Sequence, residues 1–373
     1  VTLCATNDTR IAGNERPPFG VDPSMRLSVL DLVPVRSDQS TSDALSATTR
    51  LAQTADRLGY TRYWIAEHHN MAAVAATSPP VLIAHLAAHT SALRLGSGGV
   101  MLPNHAPLAV AEQFALLEAA HPGRIDLGIG RAPGSDPVTS MALRGAAGRD
   151  DRDIEAFPEY LDDVVALMGA NGVRVALPRD LMRDNYILKA TPAAASVPTL
   201  WLLGSSMYSA RLAAAKGLPY VFAHHFSGEG TAEALRIYRD EFRPSALASE
   251  PVTFLTVNAA VAETRDEAMR LILPNLQMMG RLRTGQPLGP LDLVEDAEQQ
   301  QVSPRAQAVV DAGLRQAVVG SPAEAADQLH ALAAKFDVDE VMINPVASAY
   351  RGTDPATSPG RETTLELVAK ELF

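Results

Sequence analysis

The sequence predicts an α/β protein built as a single (β/α)8 TIM barrel. Short apolar stretches alternate with amphipathic helical stretches along most of the 373 residues, and eight of the apolar stretches can be counted. Each is apolar throughout, as expected of parallel strands that are buried on both faces. Eight such strand and helix units fit one closed barrel.

In the first half of the chain, apolar runs predict four strands and the helical period predicts the helices between them. The first helix should end at Gly59, a residue that often caps helix C-termini, and the second should begin at Pro79. The strands are expected at residues 27–35, 63–67, 93–102 and 124–130, and the helices at residues 43–58, 79–89, 108–120 and 153–168.

The second half repeats the pattern after a less regular connection over residues 170–197. Strands are expected at residues 199–203, 219–226, 252–261 and 340–346, and helices at residues 209–216, 231–241, 266–273 and 322–336. Residues 274–305 interrupt the alternation just before the last units. A long insertion after a late strand lies at the C-terminal face of a barrel, so we expect either a mobile lid or a passive surface insertion.

Composition narrows the possible partners. The net charge is −11 and the pI about 5.3, with acidic and basic residues interspersed, so we expect neither nucleic acid nor an anionic membrane as a partner. Cys4 is the single cysteine, which fits a reducing, cytoplasmic location. Residues 1–24 lack the apolar core of a signal peptide and are expected to be a flexible leader before a domain over residues 25–373.

Two histidine pairs follow predicted strands. RYWIAEHHN places Glu67, His68 and His69 at a strand end, and PYVFAHHF places His224 and His225 at another. Strand C-termini carry the chemistry of such barrels, although one histidine of a pair is often only a core hydrogen bonder. A metal site is a rival interpretation, but Glu67 and the pairs do not make a recognisable ligand set, so we expect no metal.

Three glycine-rich loops follow other predicted strands. GIGRAPG (128–134) could cradle a phosphate beside Arg131, although it is not a dinucleotide fingerprint. LGSSMYSA (203–210) could bind an anion at a helix N-terminus or could be an ordinary serine cap. GSGGVMLPNHAP (96–107) would allow a flat ligand to approach the backbone or could be merely a crowded strand.

These motifs together resemble the luciferase-like monooxygenase family, the flavin-dependent barrels related to bacterial luciferase. The resemblance covers residues 25–373 and rests on motifs that occur in the family's order: EHH, SGGVMLP, GIGRAPG, LGSSMYSARLAAAKGLP and VVGSPAEAADQLHALAAKFDVDEVMI. It implies the bacterial luciferase type of barrel and a bound flavin mononucleotide (FMN) in its reduced form.

The resemblance also implies residue roles. His68 matches the family's active-site histidine beside the flavin, and Gly98 and Gly99 match the pair joined by a cis peptide against the ring. Ser205 stands where luciferase has a carboxylate. The remaining expected cofactor contacts are Val100 next to the ring and, around the phosphate, Arg131, Arg149, Ser205, Ser206, Tyr208 and Ser209. We further expect the substrate pocket to include Asp31, His69, His224 and His225.

The implied reaction is that of a two-component monooxygenase. O2 would add to the reduced flavin to give a 4a-hydroperoxide, and one oxygen atom would enter an organic substrate. A separate NAD(P)H:flavin reductase would supply the reduced flavin, and a homodimer would form through the helices at residues 79–89 and 108–120. The Ala- and Arg-rich composition resembles that of high-GC soil bacteria, in which relatives often tailor products of natural-product biosynthesis, so we expect a bulky apolar metabolite such as an aromatic polyketide as substrate.

Three alternatives belong to other functional classes. A relative could use a deazaflavin coenzyme for hydride transfer without O2, and only cofactor binding separates this from oxygenation. A non-catalytic flavin-binding subunit is a second alternative, against which the presence of His68 argues. The third is a metal-dependent barrel hydrolase, which metal analysis would identify.

Overall fold

The computed structural model describes residues 25–132, 136–145, 152–174, 186–286 and 288–373. The leader predicted at residues 1–24 lies outside the described residues. Among the described helices, none combines the length and the apolar character needed to span a bilayer.

The strands follow the predicted order along the chain, with several shorter than expected. They are β1 (Arg26–Asp31), β2 (Arg62–Ile65), β3 (Arg94–Ser97), β4 (Val100–Met101), β5 (Ile125–Gly130), β6 (Val173–Arg174), β7 (Ile187–Leu188), β8 (Thr199–Gly204), β9 (Tyr220–Phe222), β10 (Leu255–Val261), β11 (Val318–Gly320) and β12 (Glu340–Pro345).

The helices lie between and after these strands. They are α1 (Thr41–Leu58), α2 (Pro79–Ala87), α3 (Pro107–Ala120), α4 (Pro137–Arg144), α5 (Arg152–Glu155), α6 (Phe157–Met168), α7 (Met207–Lys216), α8 (His224–Ser227), α9 (Thr231–Asp240), α10 (Arg265–Arg283), α11 (Val294–Gln299), α12 (Pro304–Gln316), α13 (Pro322–Phe336) and α14 (Pro359–Leu372).

One parallel sheet organises the molecule, in the order β11, β10, β12, β1, β2, β3, β5, β8, β9, with β4 also paired to β5. The sheet curls, because the edge strand β9 approaches the residues that lead into β10. Tyr220 forms a parallel bridge with Thr253, and its amide donates to the carbonyl of Val252 at 3.0 Å. The predicted α/β class and the parallel sheet are therefore confirmed.

Helix boundaries follow local capping chemistry. Ser40 and Asp43 form a capping box that begins α1, and Gly59, at φ 82°, ends it as predicted. Ser321 and Glu324 form another box before α13, whose observed bounds match the predicted ones. These signals lie within a few residues of the helix ends, which is why the sequence reveals them.

An aromatic cluster closes the interior of the curled sheet at its N-terminal end. The ring centroids of Trp64, Trp201 and Phe254 lie 5.0 to 5.6 Å apart, and all three side chains are buried. Below them the guanidinium of Arg62 bonds to Glu340 at 2.6 Å and to Asp126 at 2.8 Å. This pairing satisfies charges that would otherwise be costly to bury.

Among the predicted elements that are wrong in extent, one strand and one helix have a clear physical reason. The strand expected at residues 219–226 ends at Phe222, and the chain then forms the short helix α8, whose end is capped by Gly228 in the left-handed conformation. The helix expected to stop before Pro274 continues to Arg283 as α10. Burial of Leu271 and Leu276 on either side of Pro274 holds the helix together despite the missing N–H.

The predicted insertion at residues 274–305 therefore begins inside α10, and it also contains α11. Its mobility stays a prediction. The sequence analysis did not anticipate β11, α12 or α14. The irregular connection at residues 170–197 contains an antiparallel pair, with Val173 opposite Leu188 and Arg174 opposite Ile187.

Candidate active site

A cavity of about 420 Å³ opens at the C-terminal ends of the strands. Its inner end rests on Trp64 of the aromatic cluster. Other apolar side chains continue its walls, among them Leu30, Leu203, Val221 and Met342. Polar groups lie toward its outer end, which is the usual arrangement of a small-molecule site.

The inner wall of the cavity is formed by Gly98 and Gly99, which are joined by a cis peptide bond. A Cβ atom at Gly98 would lie 2.7 Å from Leu30 Cδ1, and one at Gly99 would lie 2.6 Å from Leu203 Cδ1 and 2.7 Å from the Gly128 carbonyl oxygen. A side chain at Gly99 would meet the backbone of Gly128, and one at Gly98 would have to displace the end of Leu30, so glycine at both positions presents the backbone itself to a ligand.

His68 lies beside this wall, just beyond the end of β2. Its amide donates to the carbonyl of Ala76 at 2.8 Å, which fixes the backbone of the turn. Among the described residues none offers a hydrogen-bond partner to its buried Nδ1 atom. Burial lowers the pKa of His68, although the nearby Glu67 carboxylate acts in the opposite direction. The imidazole is therefore neutral near pH 7.

Glu67 is the centre of a hydrogen-bonded group that holds the neighbouring loops. Its Oε1 atom lies 2.8 Å from Nε2 of His69 and 2.8 Å from Nε2 of His105, and its Oε2 atom accepts from the amide of Met101 at 3.0 Å. Burial alone would raise the pKa of Glu67, but the bonds from His105, His69 and Met101 lower it. Glu67 thus ties the His68 turn to β4.

Glu67, His69 and His105 also place three possible metal ligands within 4.8 Å of one another. The third ligand that the sequence analysis did not find is His105. Both imidazoles are at hydrogen-bond distance from one carboxylate oxygen, so the group is satisfied as a hydrogen-bonded triad. The expectation that the protein uses no metal stays a prediction.

His225 lines the cavity opposite these residues, together with Thr256. Its Nδ1 atom lies 2.9 Å from the Thr256 hydroxyl, and burial lowers its pKa to about 3, with further lowering by His224 and His68. His225 is half-buried and lines the cavity. It therefore presents a neutral imidazole.

The outer end of the cavity contains the candidate anion site. Arg131, Ser205, Ser206 and Ser209 line it, and the Arg131 guanidinium lies over the ring of Tyr208, 4.3 Å from its centroid. Ser206 caps α7 by accepting from the Ser209 amide. The Ser209 hydroxyl is partly committed elsewhere, since it donates to the Ser206 carbonyl at 2.7 Å. Ser205 is exposed at the helix N-terminus.

Several predicted site residues lie elsewhere. Asp31 was expected in the substrate pocket, but its buried carboxylate accepts from Val33, from Tyr63, from Thr48 of α1 and from Arg361 of α14. Those partners account for its burial, so the structure does not support its placement in the pocket.

Four more predicted residues do not border the cavity. Val100 is buried in β4, His69 bonds to Glu67, and His224 bonds through Nδ1 to the Thr231 hydroxyl at 2.8 Å. The fourth is Tyr208, which contacts Arg131 rather than the cavity. Arg149 lies outside the described residues.

The arrangement fits a ligand with a flat ring system and an anionic tail. The ring would lie against the bare backbone of Gly98 and Gly99, and the anion would lie near Arg131 and the N-terminus of α7. FMN has this form. Sequence reasoning missed His105 and Thr256, which act through contacts with Glu67 and His225. A signal for His105 existed, because it stands in the glycine-rich motif at residues 96–107.

Comparisons with known proteins agree over most of the chain. A model of the family described as luciferase-like monooxygenase matches residues 25–339. A luciferase-like monooxygenase of Escherichia coli (strain K12) is 41% identical over 323 residues, which make up 87% of this chain and 92% of the relative. N-acetyl-S-alkylcysteine monooxygenase of Bacillus subtilis (strain 168) is 32% identical over 333 residues, covering 87% and 94%.

Solved structures share the architecture. Apo-MsnO8 superposes with a TM-score of 0.75 at 32% identity, covering 94% of this chain and 99% of that chain. The oxygenating constituent of 3,6-diketocamphane monooxygenase from Pseudomonas putida, in complex with FMN, has a TM-score of 0.65 at 19% identity, with 94% and 98% covered. The coenzyme F420 dependent tetrahydromethanopterin reductase of Methanopyrus kandleri has 0.63 at 15%, again with 94% and 98% covered. The last two show the fold alone.

Proposed function

The chain belongs to the luciferase-like monooxygenase family and is a flavin-dependent monooxygenase, and from that premise we propose that it binds reduced FMN and uses O2 to oxidise an organic substrate. The observation that carries the proposal is one cavity with a bare glycine wall at its inner part, His68 beside that wall and Arg131 at its outer end. These residues suit the ring, the reacting edge and the phosphate of FMN respectively.

Phosphate binding is assigned to the outer end. Arg131 supplies a fixed positive charge, and its guanidinium is stacked over the ring of Tyr208. Ser205 and Ser206, with the α7 N-terminus, supply further donors. Arg149 is proposed as a second phosphate ligand on the family resemblance, and Val100 as a backbone neighbour of the ring.

His68 is the proposed catalytic residue. The bound reduced flavin would supply the electrons that activate O2, so that one oxygen atom enters the substrate and the other leaves as water. This stoichiometry requires proton transfer near the ring. A neutral imidazole held by its own backbone can accept or donate a proton without leaving its place.

Water exclusion is the second role of the protein. Leu30, Leu203, Val221 and Met342 give the inner cavity an apolar surface. Such walls exclude water and so protect reactive intermediates from hydrolysis and unproductive proton transfer. Val221 and Met342 stand on different strands, so the curled sheet itself provides the shield.

The finer features of the family are proposed on the same premise. The eight strands β1, β2, β3, β5, β8, β9, β10 and β12 would form a closed barrel, for which the Tyr220 and Thr253 bridge is the support. A separate NAD(P)H:flavin reductase would reduce FMN, and the protein would act in the cytoplasm. A homodimer through α2 and α3 would cover Val81 and Leu116, which are 66% and 56% exposed.

We consider two classes of substrate. The bulky apolar metabolite expected from the sequence, an aromatic polyketide in natural-product biosynthesis, stays a prediction. The Bacillus relative named for N-acetyl-S-alkylcysteine offers a smaller class, in which a thioether sulfur could take up the oxygen.

The test is cofactor binding followed by oxygen incorporation. We would titrate the protein with FMN and with deazaflavin, photoreduce the FMN complex, and mix it with isotopically labelled O2 and N-acetyl-S-methylcysteine or an anthraquinone. Binding of FMN with label in an organic product is expected. Tight binding of deazaflavin and none of FMN would replace oxygenation by hydride transfer.

His68→Asn separates catalysis from binding. The variant should retain FMN affinity, because the wall and the phosphate site are intact, yet incorporate far less label. Equal incorporation by the variant would remove His68 from the catalytic role.

A further inference from the structure

A second cavity of about 250 Å³ adjoins the first, and the two share His225 and Phe226 as lining residues. The second cavity is bounded by α8, β10, α10 and α12. If FMN occupies the larger cavity, the smaller one is the adjoining space in which a substrate can lie. Neither the sequence motifs nor the similarity to relatives assigns a ligand to this second cavity.

The wall between the cavities is held in place by side chains that also line the second cavity. The carbonyl of His225 accepts from Asn258 Nδ2 at 2.9 Å, that of His224 from Gln316 Nε2, and that of Phe226 from Arg283. Three successive carbonyls of α8 are thus bound by residues of three other elements, so His225 and Phe226 form a fixed partition.

The surfaces of the second cavity differ in character. Near α8 the amides of Asn258 and Gln316 and the guanidinium of Arg283 are strongly polar, and Asn275 of α10 adds a further amide. On the far side, Leu276, Met279, Val309 and Ala312 make an apolar wall. A ligand that contacts both the polar surface and the apolar wall must have a hydrogen-bonding head and an apolar arm.

His225 adds an acceptor at the junction of the cavities. The Thr256 hydroxyl donates to the carbonyl of Phe222 at 3.3 Å, so its oxygen is left to accept from Nδ1–H of His225. This leaves Nε2 as the unprotonated nitrogen. The ring can therefore accept a hydrogen bond from an N–H or O–H group of a ligand at the junction.

We propose that the second cavity is the substrate site and that it takes a small amphiphilic molecule with a carboxylate or amide head and a short apolar arm. The proposal rests on the proposed function, since it presumes FMN in the larger cavity. The volume lies below the range of about 300 to 1,000 Å³ that drug-sized ligands occupy. The cavity therefore selects against the bulky polyketide expected from the sequence.

The test is binding to the FMN-loaded protein by isothermal titration calorimetry, with N-acetyl-S-methylcysteine as the small probe and anthraquinone-2-sulfonate as the bulky one. Ala312→Trp adds a large side chain at the exposed edge of the second cavity, at a position that does not line the first. Asp311→Trp places the same side chain on the adjacent position of that helix, where the residue is exposed and outside the cavity lining. Asn275→Leu removes one polar anchor at nearly constant volume.

We expect the small probe to bind wild type and Asp311→Trp alike, and to lose about tenfold or more in affinity with Ala312→Trp and with Asn275→Leu. FMN affinity should be unchanged in all three variants. Failure of wild type to bind the small probe, or undiminished binding by both cavity variants, would overturn the proposal, as would tighter binding of the bulky probe. Failure to bind FMN would instead refute the proposed function, and the FMN titration reveals this separately.

Discussion

Replacement of Gly99 by alanine tests whether the inner wall of the flavin cavity depends on a bare backbone. The added Cβ would lie 2.6 Å from Leu203 Cδ1, 2.7 Å from the Gly128 oxygen and 2.9 Å from the Gly128 carbon. Leu203 can turn away, but only into the cavity that it lines. The backbone of Gly128 has little freedom to retreat, because Ser97 Oγ accepts from its amide at 3.0 Å and donates to its carbonyl at 2.8 Å.

The expected cost follows from this crowding. Overpacking in a well-packed interior destabilises by about 1–3 kcal/mol, and the loss of unfolded-state entropy on changing glycine to alanine returns about 0.4–1 kcal/mol. We therefore expect a net loss in the free energy of unfolding of roughly 1–2 kcal/mol. FMN affinity should also fall, since the displaced Leu203 side chain would enter the cavity.

Gly130→Ala is the matched control. Gly130 lines the same cavity, but its added Cβ would have Met101 Sδ as nearest neighbour at 3.5 Å, an ordinary contact. We would compare both variants with wild type by urea unfolding and by FMN fluorescence titration. Gly130→Ala should be neutral or slightly stabilised. If the two variants were equally stable and bound FMN equally well, the close approach at Gly99 would not matter and the reasoning would be wrong.

Three further predictions concern charged or titratable side chains. Asp31→Asn should destabilise by about 3–5 kcal/mol because it leaves the buried Arg361 guanidinium uncompensated, with FMN affinity unchanged; a weakened FMN titration with normal urea stability would return Asp31 to the pocket. Arg131→Met should weaken FMN binding by about 1.5–3 kcal/mol through loss of a charge-assisted bond, and unchanged affinity would exclude Arg131 from the phosphate site. Burial lowers the pKa of His224 to about 4, with the Lys335 charge acting in the same direction. Between about pH 6 and about pH 4 the histidine is protonated in the unfolded chain but stays neutral in the folded one. His224 should therefore make the free energy of unfolding fall by about 1.4 kcal/mol for each pH unit over this range. The His224→Gln variant should lack this pH dependence, and parallel curves of stability against pH for variant and wild type would contradict the prediction.

Local signals predicted much of the fold. The bounds of α13 follow from Pro322 at its start and the cap at Asp337, both within one turn of the helix ends. The end of α10 could not be predicted in this way. Pro274 is a strong local signal for termination, and it is overridden by tertiary contacts of α10 with α11 and α12, the two helices that follow it. Local rules fail where tertiary packing supplies the missing stability.

The residues of the candidate site likewise divide into those that local sequence patterns predict and those that only the fold brings together. The motifs identified His68, Gly98, Gly99 and Arg131, all of which border the cavity, because glycine and charged residues at strand ends are visible in sequence. The contact of His105 with Glu67 was not visible, although His105 stands in a motif, since the two residues lie 38 positions apart and meet only through the fold. A contact between side chains that are distant in sequence leaves no local pattern.

The aromatic cluster and the Arg62 ion pairs close the curled sheet at the N-terminal ends of its strands, and this determines how a ligand reaches the cavity. In the part of the chain that the structure describes, Trp64, Trp201 and Phe254 with the Arg62 ion pairs leave that end buried, and the cavity opens at the strand C-termini. A flavin ring held at the inner end of this cavity can therefore enter and leave only through that mouth, past Arg131.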